Sequence, residues 1–138
     1  MGISPKRWGK EGWKFIHWVA LTYPSKPTEV DKKKYLKFFE SLQDVLPCNI
    51  CADHFRQNMK NHPIKMGSNR ELFNWTVDIH NEVNKQNGKK TFSYDQAFSE
   101  ITKQNKDINP DILKGVAFSS VVITLITILS KQYAKKNK

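Results

Sequence analysis

Apolar residues recur along most of this chain at intervals of three and four, the spacing of one face of an α-helix. From about Trp8 to Tyr23 the stripe is Trp13, Ile16, Val19, Ala20 and Tyr23, and Pro24 stops it. A second stripe, Tyr35, Phe38, Phe39, Leu42 and Leu46, predicts a helix from about Thr28, a suitable cap. It should end at Leu46, which precedes a proline. A third helix is expected to begin at Pro47, a residue suited to a first turn, and to end near Asn61 ahead of Pro63. Ser68 with Glu71 three residues later is a capping-box pattern for a fourth helix running to about Lys85, with Asn87-Gly88 closing it. A short fifth helix spans Ser93 to Lys103. No stretch sustains period-two alternation, so no sheet is expected. The pattern predicts an all-α fold, a bundle of four or five helices.

The C-terminal part reads differently. Gly115 to Ser130 is uncharged and rich in Val, Ile, Thr and Leu. As a helix it spans about 24 Å, and about 28 Å once Ile112 and Leu113 join it with Lys114 snorkelling, close to the roughly 30 Å of bilayer hydrocarbon. A domain this small has no room to bury a helix that is apolar all round, so a single transmembrane anchor is expected. Lysines flank both ends and leave its orientation open. Met1 to Lys10 is polar and basic and is followed by no apolar run, unlike a secretory signal. The expected organisation is a helical domain over 1–108 and a membrane anchor with a basic tail over 109–138, the domain facing the cytosol.

The formal charge of +10 comes mostly from lysine, with Arg7, Arg56 and Arg70 the three arginines. The lysines are scattered and clump only locally, at Lys32-Lys33-Lys34, Lys89-Lys90 and the C-terminal tail. That distribution reads as solvated helix faces rather than a nucleic-acid interface, and no nucleic-acid partner is expected. It also suits the rim of a pocket for an anionic dinucleotide. All four tryptophans fall in the first 75 residues, either as core or around a planar ligand.

The two cysteines, Cys48 and Cys51, are too few and too close for the framework of a secreted mini-protein. A Cys-x-x-Cys at a helix start brings two sulfurs within bonding reach, and the helix N-terminus favours the thiolate. Such a pair can carry two electrons by closing and opening a disulfide. It can equally be half of a zinc site, completed by His54 and His62. A thioredoxin-like reading needs flanking strands, which the pattern does not offer. Two helix faces shift the balance. Trp13 and His17 lie four apart on the first helix, and Phe73, Val77, His80 and Asn84 share a face of the fourth. Each alone would pass for core or for a satisfied polar residue. Together they describe a slot with an aromatic wall, hydrogen-bonding edges and a basic rim.

Gly9-Lys10-Glu11-Gly12-Trp13…His17, Tyr23-Pro24, Pro47-Cys48-Asn49-Ile50-Cys51 and His80-Asn81-Glu82-Val83-Asn84-Lys85 resemble, in order and spacing, the Erv/ALR family of FAD-linked sulfhydryl oxidases. The resemblance covers about Trp8 to Ile101 and looks closest to the short members encoded by large DNA viruses. It implies a four-helix bundle with a short fifth helix around FAD, usually as a homodimer. It also implies thiol oxidation in protein substrates, with electrons passing to O2 to give hydrogen peroxide. Cys51 would be the flavin-proximal cysteine and Cys48 the outer one. Gly9, Lys10, Trp13, His17, Tyr23, His80, Asn81, Val83, Asn84, Lys85, Lys90 and Phe92 would form the FAD site. The family's second disulfide is missing, Val77 and Tyr94 standing at the matching positions. So is its shuttle pair, so substrates would reach Cys48 directly or through a separate redox carrier. If the chain is viral, its membrane would be one of the host or the virion. Two readings compete: a zinc-binding helical adaptor, and a membrane-tethered basic module for nucleic acid or acidic lipid.

Overall fold

Caps set the helix boundaries. In the computed structural model, which describes residues 2–103, α1 is Pro5–Leu21, α2 Glu29–Val45, α3 Asn49–Asn61, α4 Asn69–Gln86 and α5 Tyr94–Thr102, with no strand among the described residues. Thr28 opens α2 with a full capping box, its hydroxyl accepting from Asp31 N–H while Asp31 takes the Thr28 N–H at 2.9 Å. Ser93 and Gln96 do the same for α5. The box expected at α4 forms only by half. Ser68 accepts from Glu71 N–H, but the Glu71 carboxylate takes the N–H of Gly67 instead, at 2.9 Å. At the far end Gly88 adopts φ 63°, and the N–H groups of Gly88 and Lys89 close on the carbonyls of Lys85 and Asn84. This is a Schellman turn, and glycine reaches the left-handed region without steric cost.

Two boundaries differ from the sequence expectation. Helix α1 begins three residues before Trp8, at Pro5, because proline is pre-set for a first helical position and needs no partner for its missing N–H. Helix α3 begins at Asn49 rather than Pro47. Cys48 holds an extended conformation and is itself the cap.

Helix α4 is the spine, with Leu72, Phe73, Trp75, Thr76, Val77 and Ile79 all buried. It packs most extensively on α1, while α2 packs on α3. Burying each large apolar side chain is worth roughly 1.5–3 kcal/mol. Phe39 of α2 meets the Trp75 ring edge-on at 5.1 Å. The polar tips of buried rings pin loops: Trp75 Nε1 donates to the His62 carbonyl at 2.8 Å and Tyr23 Oη to the Met66 carbonyl at 3.0 Å. Arg56 of α3 reaches back to the Gln43 carbonyl and to Asp44 at the end of α2.

Where the resembling family carries its second disulfide, polar contacts tie α5 to α4. Tyr94 Oη donates to Asp78 at 2.8 Å. The Asn81 amide clamps the Phe92 backbone from both sides, accepting its N–H and donating to its carbonyl, each at 2.9 Å. Val77 is buried core.

Among the described residues no helix is long and apolar enough to cross a membrane. The expected anchor, within 109–138, lies outside the described residues.

Phe39→Ala should cost about 3–5 kcal/mol in urea unfolding, as a cavity opens against Trp75, whereas Val30→Ala, on exposed α2 surface, should stay within about 0.5 kcal/mol.

Candidate active site

Between α2 and α3 the chain bends through Leu46, Pro47 and Cys48. Leu46 is the last cap of α2 and Cys48 the first of α3, so one short turn joins two helix ends. The Cys48 sulfur accepts the Cys51 N–H at 3.2 Å. Cys48 and Cys51 form a disulfide with their Cα atoms 5.1 Å apart. Once the bond opens, that N–H and the helix N-terminus stabilise a thiolate at Cys48. The N-terminal segment lies along the turn, with Ile3 N–H donating to the Pro47 carbonyl at 2.6 Å. A Cβ on Gly2 would stand 3.0 Å from both Cys48 Cα and the Pro47 oxygen, so glycine permits this approach.

Both cysteines line a cavity of about 220 Å³. Trp8, Trp13 and Ile16 of α1 form one wall, Phe55 and His54 of α3 another, and Val83 with Asn87 the α4 side. Cys51, Phe55 and Asn58 share a face of α3 by their spacing. Gly12 makes the α1 wall possible: a Cβ there would come within 2.8 Å of the Trp8 ring. A glycine inside a helix costs about 1 kcal/mol, and here it seats an indole against the helix.

Trp13 belongs to this cavity and to a second cluster. Its ring stacks on His80 with centroids 4.2 Å apart and planes 8° from parallel. His17 Nε2 lies 3.1 Å from His80 Nδ1, and His17 Nδ1 lies 2.8 Å from Thr76 Oγ1. Phe92 flanks His80 at 6.1 Å. Burial, with His80 adding, pushes His17 down to about 3, and burial, with Lys89 adding, pushes His80 down to about 4. Both rings are neutral at physiological pH.

Of the residues expected from sequence, the structure brings Gly9, Trp13, Cys48, Cys51 and Val83 to the cavity. His17, His80 and Phe92 gather beside Trp13. Asn84 is buried one residue from Val83, and its Nδ2, like Asn58 Nδ2 and Trp18 Nε1, has no hydrogen-bond partner among the described residues. Tyr23 is elsewhere, buried against Tyr35 and tied to Met66. Asn81 has both amide atoms engaged by Phe92. Lys10, Lys85 and Lys90 are exposed, and Lys85 pairs with Glu82 at 2.7 Å. Trp8, Ile16, His54, Phe55 and Asn87 also line the cavity, although the sequence pattern did not place them at a cofactor site. Ile16 and Phe55 follow Trp13 and Cys51 by three and four residues, a spacing that puts each pair on one helix face.

The zinc reading finds no donor set. Among the described residues no three of His, Cys, Asp and Glu are grouped to hold a metal ion. The sulfurs are joined, and His62 turns to Glu82 at 4.0 Å.

The chain matches the Erv1 / Alr family over residues 10–105. It is 43% identical over 104 residues to a protein of Acanthamoeba polyphaga mimivirus named a probable FAD-linked sulfhydryl oxidase, covering 73% of each chain. It is 38% identical over 90 residues to the FAD-linked sulfhydryl oxidase ERV1 of Arabidopsis thaliana, covering 65% of this chain and 47% of that one. It thus spans most of the viral relative and about half of the plant one. The crystal structure of the yeast Erv1 core superposes with a TM-score of 0.67 at 28% identity, over 79% of this chain and 89% of that one.

The buried imidazoles carry a pH signature. A lowered histidine pKa means that the unfolded chain binds protons the folded chain refuses. Stability is therefore complete above about pH 6.5 and falls as pH drops toward 4, by up to ~1.4 kcal/mol per pH unit for each imidazole. Urea midpoints measured from pH 7.5 to 5.0 should fall accordingly, and His17→Gln should flatten the slope; an unchanged slope would contradict the assignment.

Proposed function

The chain belongs to the Erv1/Alr family, and from that membership we propose that it is an FAD-linked sulfhydryl oxidase, which forms disulfides in protein thiols and reduces O2 to hydrogen peroxide. The observation that carries the reading is the Cys48–Cys51 disulfide at a helix start, lining a cavity with Trp8, Trp13 and Phe55.

The residues present fit FAD. Buried amides are seldom left unpaired, and Asn84 Nδ2 and Asn58 Nδ2 are buried donors without partners among the described residues. A cavity of about 220 Å³ is below the roughly 300–1,000 Å³ of pockets that enclose a whole drug-sized ligand, so it suits the ring system alone. Trp13, Phe55 and Val83 would hold the ring. His17, His80 and Phe92 would meet the nucleoside side, with Gly9, Lys10, Asn81, Lys85 and Lys90 around the site and its diphosphate. Tyr23 would act from a distance, by holding the loop at Met66.

A substrate thiolate attacks Cys48 Sγ, forming a mixed disulfide and releasing Cys51 as a thiolate. A second substrate thiolate then displaces Cys48, and the substrate leaves as a disulfide, two electrons and two protons poorer. Cys48 is a good leaving group because the Cys51 N–H and the start of α3 stabilise its charge. Cys51 shares its helix face with buried Phe55, which supports its role as the inner, electron-donating sulfur. Held by Trp13, Phe55 and Val83, FAD would supply a two-electron acceptor that O2 can reoxidise. The side chains lining the cavity would exclude water from the ring.

The apolar run of residues 112–130 would anchor the oxidase domain at a cytosol-facing membrane surface or, given the viral relatives, at a virion membrane. The chain would pair as a homodimer, and Phe15 on α1, 53% exposed, supplies apolar surface for it. With no third cysteine in the chain, substrate proteins or a carrier would engage Cys48 directly.

The purified protein should be yellow with a flavin absorption band and should consume oxygen when given a dithiol. Cys48→Ala and Cys51→Ala should each lower turnover at least ~100-fold; a colourless protein, or full turnover by Cys51→Ala, would overturn the reading. Expressed in cells, the full chain should sediment with membranes and resist alkaline extraction, and a chain ending at residue 108 should not; a full chain found in the supernatant rules out the anchor.

A further inference from the structure

Thr76 is fully buried in α4, and its one hydroxyl proton has a single possible destination. Oγ1 lies 2.7 Å from the Phe73 carbonyl and 2.8 Å from His17 Nδ1. The carbonyl can only accept, so Thr76 donates to it and must accept from His17. His17 therefore carries its proton on Nδ1. As a neutral ring it leaves Nε2 bare, and that nitrogen is 3.1 Å from His80 Nδ1. A bare nitrogen accepts, so His80 also carries its proton on Nδ1. His80 Nε2 is then an acceptor, with no partner among the described residues. Both rings are neutral at pH 7, because burial holds their pKa values well below it. The stack on Trp13 and the flank of Phe92 hold the His80 ring in place.

We propose that Thr76 is a positioning residue that fixes the tautomers of His17 and His80, so that His80 Nε2 accepts a hydrogen bond from an N–H group of the bound dinucleotide. The inference rests on the FAD reading for its ligand, though not for the tautomers. It has a consequence for specificity. A charged His80 would suit the anionic diphosphate, whereas a bare Nε2 repels phosphate oxygens and selects a nucleobase amino group or the flavin imide. Nothing in the sequence motif that contains His80 marks Thr76 as part of this arrangement. Its signal is only that it lies four residues before His80, on the same face of the helix.

The test is imidazole 15N NMR on the detergent-solubilised full chain at pH 7.5, with flavin content read from the visible band of the same sample. The expected spectrum shows both rings protonated at Nδ1 and bare at Nε2, unchanged in Thr76→Ser and mixed in Thr76→Val. The FAD dissociation constant should rise about tenfold in Thr76→Val, as expected for a lost hydrogen bond, and stay near wild type in Thr76→Ser. If FMN, which lacks the adenine, loses affinity equally, the donor is the flavin imide; if FMN is unaffected, it is the adenine amino group. A wild-type His80 protonated at Nε2 overturns the proposal, as does a Thr76→Val protein with unchanged tautomers and affinity. Should Thr76→Val fail to fold, the wild-type and Thr76→Ser spectra still decide. The expected tautomers in a colourless sample would sink the flavin reading and leave the relay standing.

Discussion

One broad face of helix α4 is buried, and the rest of the domain is arranged to cover it. Leu72, Trp75 and Ile79 face the core, while Phe73, Thr76 and Val77 complete the buried surface. A face so enclosed cannot place a polar group at random, because each one must find a partner or be costly to bury. Thr76 turns its proton back to its own helix and accepts from His17, and His17 reaches His80. The polar constituents of the site are thus consequences of burying α4 against α1.

The redox centre depends on a different constraint, the meeting of two helix ends. Helix α2 must stop before Pro47, and α3 needs a cap. Cys48 serves as that cap with its sulfur rather than with the usual oxygen. The contact that starts the helix is therefore the contact that stabilises the reactive thiolate. The N-terminal segment, held by the Ile3–Pro47 hydrogen bond and admitted by Gly2, borders the same turn. Exposed Val45 and Ile50 stand on either side of it.

Tyr94–Asp78 and Asn81–Phe92 show how the fold manages without a second disulfide. A covalent brace works chiefly by restricting the unfolded chain, whereas these hydrogen bonds act only in the folded one. The Asn81 amide also bonds the Phe92 backbone from both sides and so holds that ring beside His80.

The helices, the Thr28 cap, the Asn87-Gly88 stop and the Cys48/Cys51 pair were legible in the sequence because they rest on local rules: periodicity, proline stops, capping hydroxyls and short spacing. The same rules misplaced the start of α3, since nothing local says that a cysteine will cap in place of the proline before it. Trp13, His17 and His80 stand out in the sequence as candidate site residues, but the order in which they connect does not. Trp8, His54 and Asn87 went unseen as cavity walls, and Tyr23 went to a different part of the core. Whether a residue lines a cavity depends on which helix packs opposite it, and a tautomer depends on a hydrogen-bond acceptor 59 residues away in the chain. Sequence alone determined which elements form and which chemistry they carry; the tertiary packing of α4 against α1 decided which side chains meet, because hydrogen bonds and close packing act through space and not along the chain.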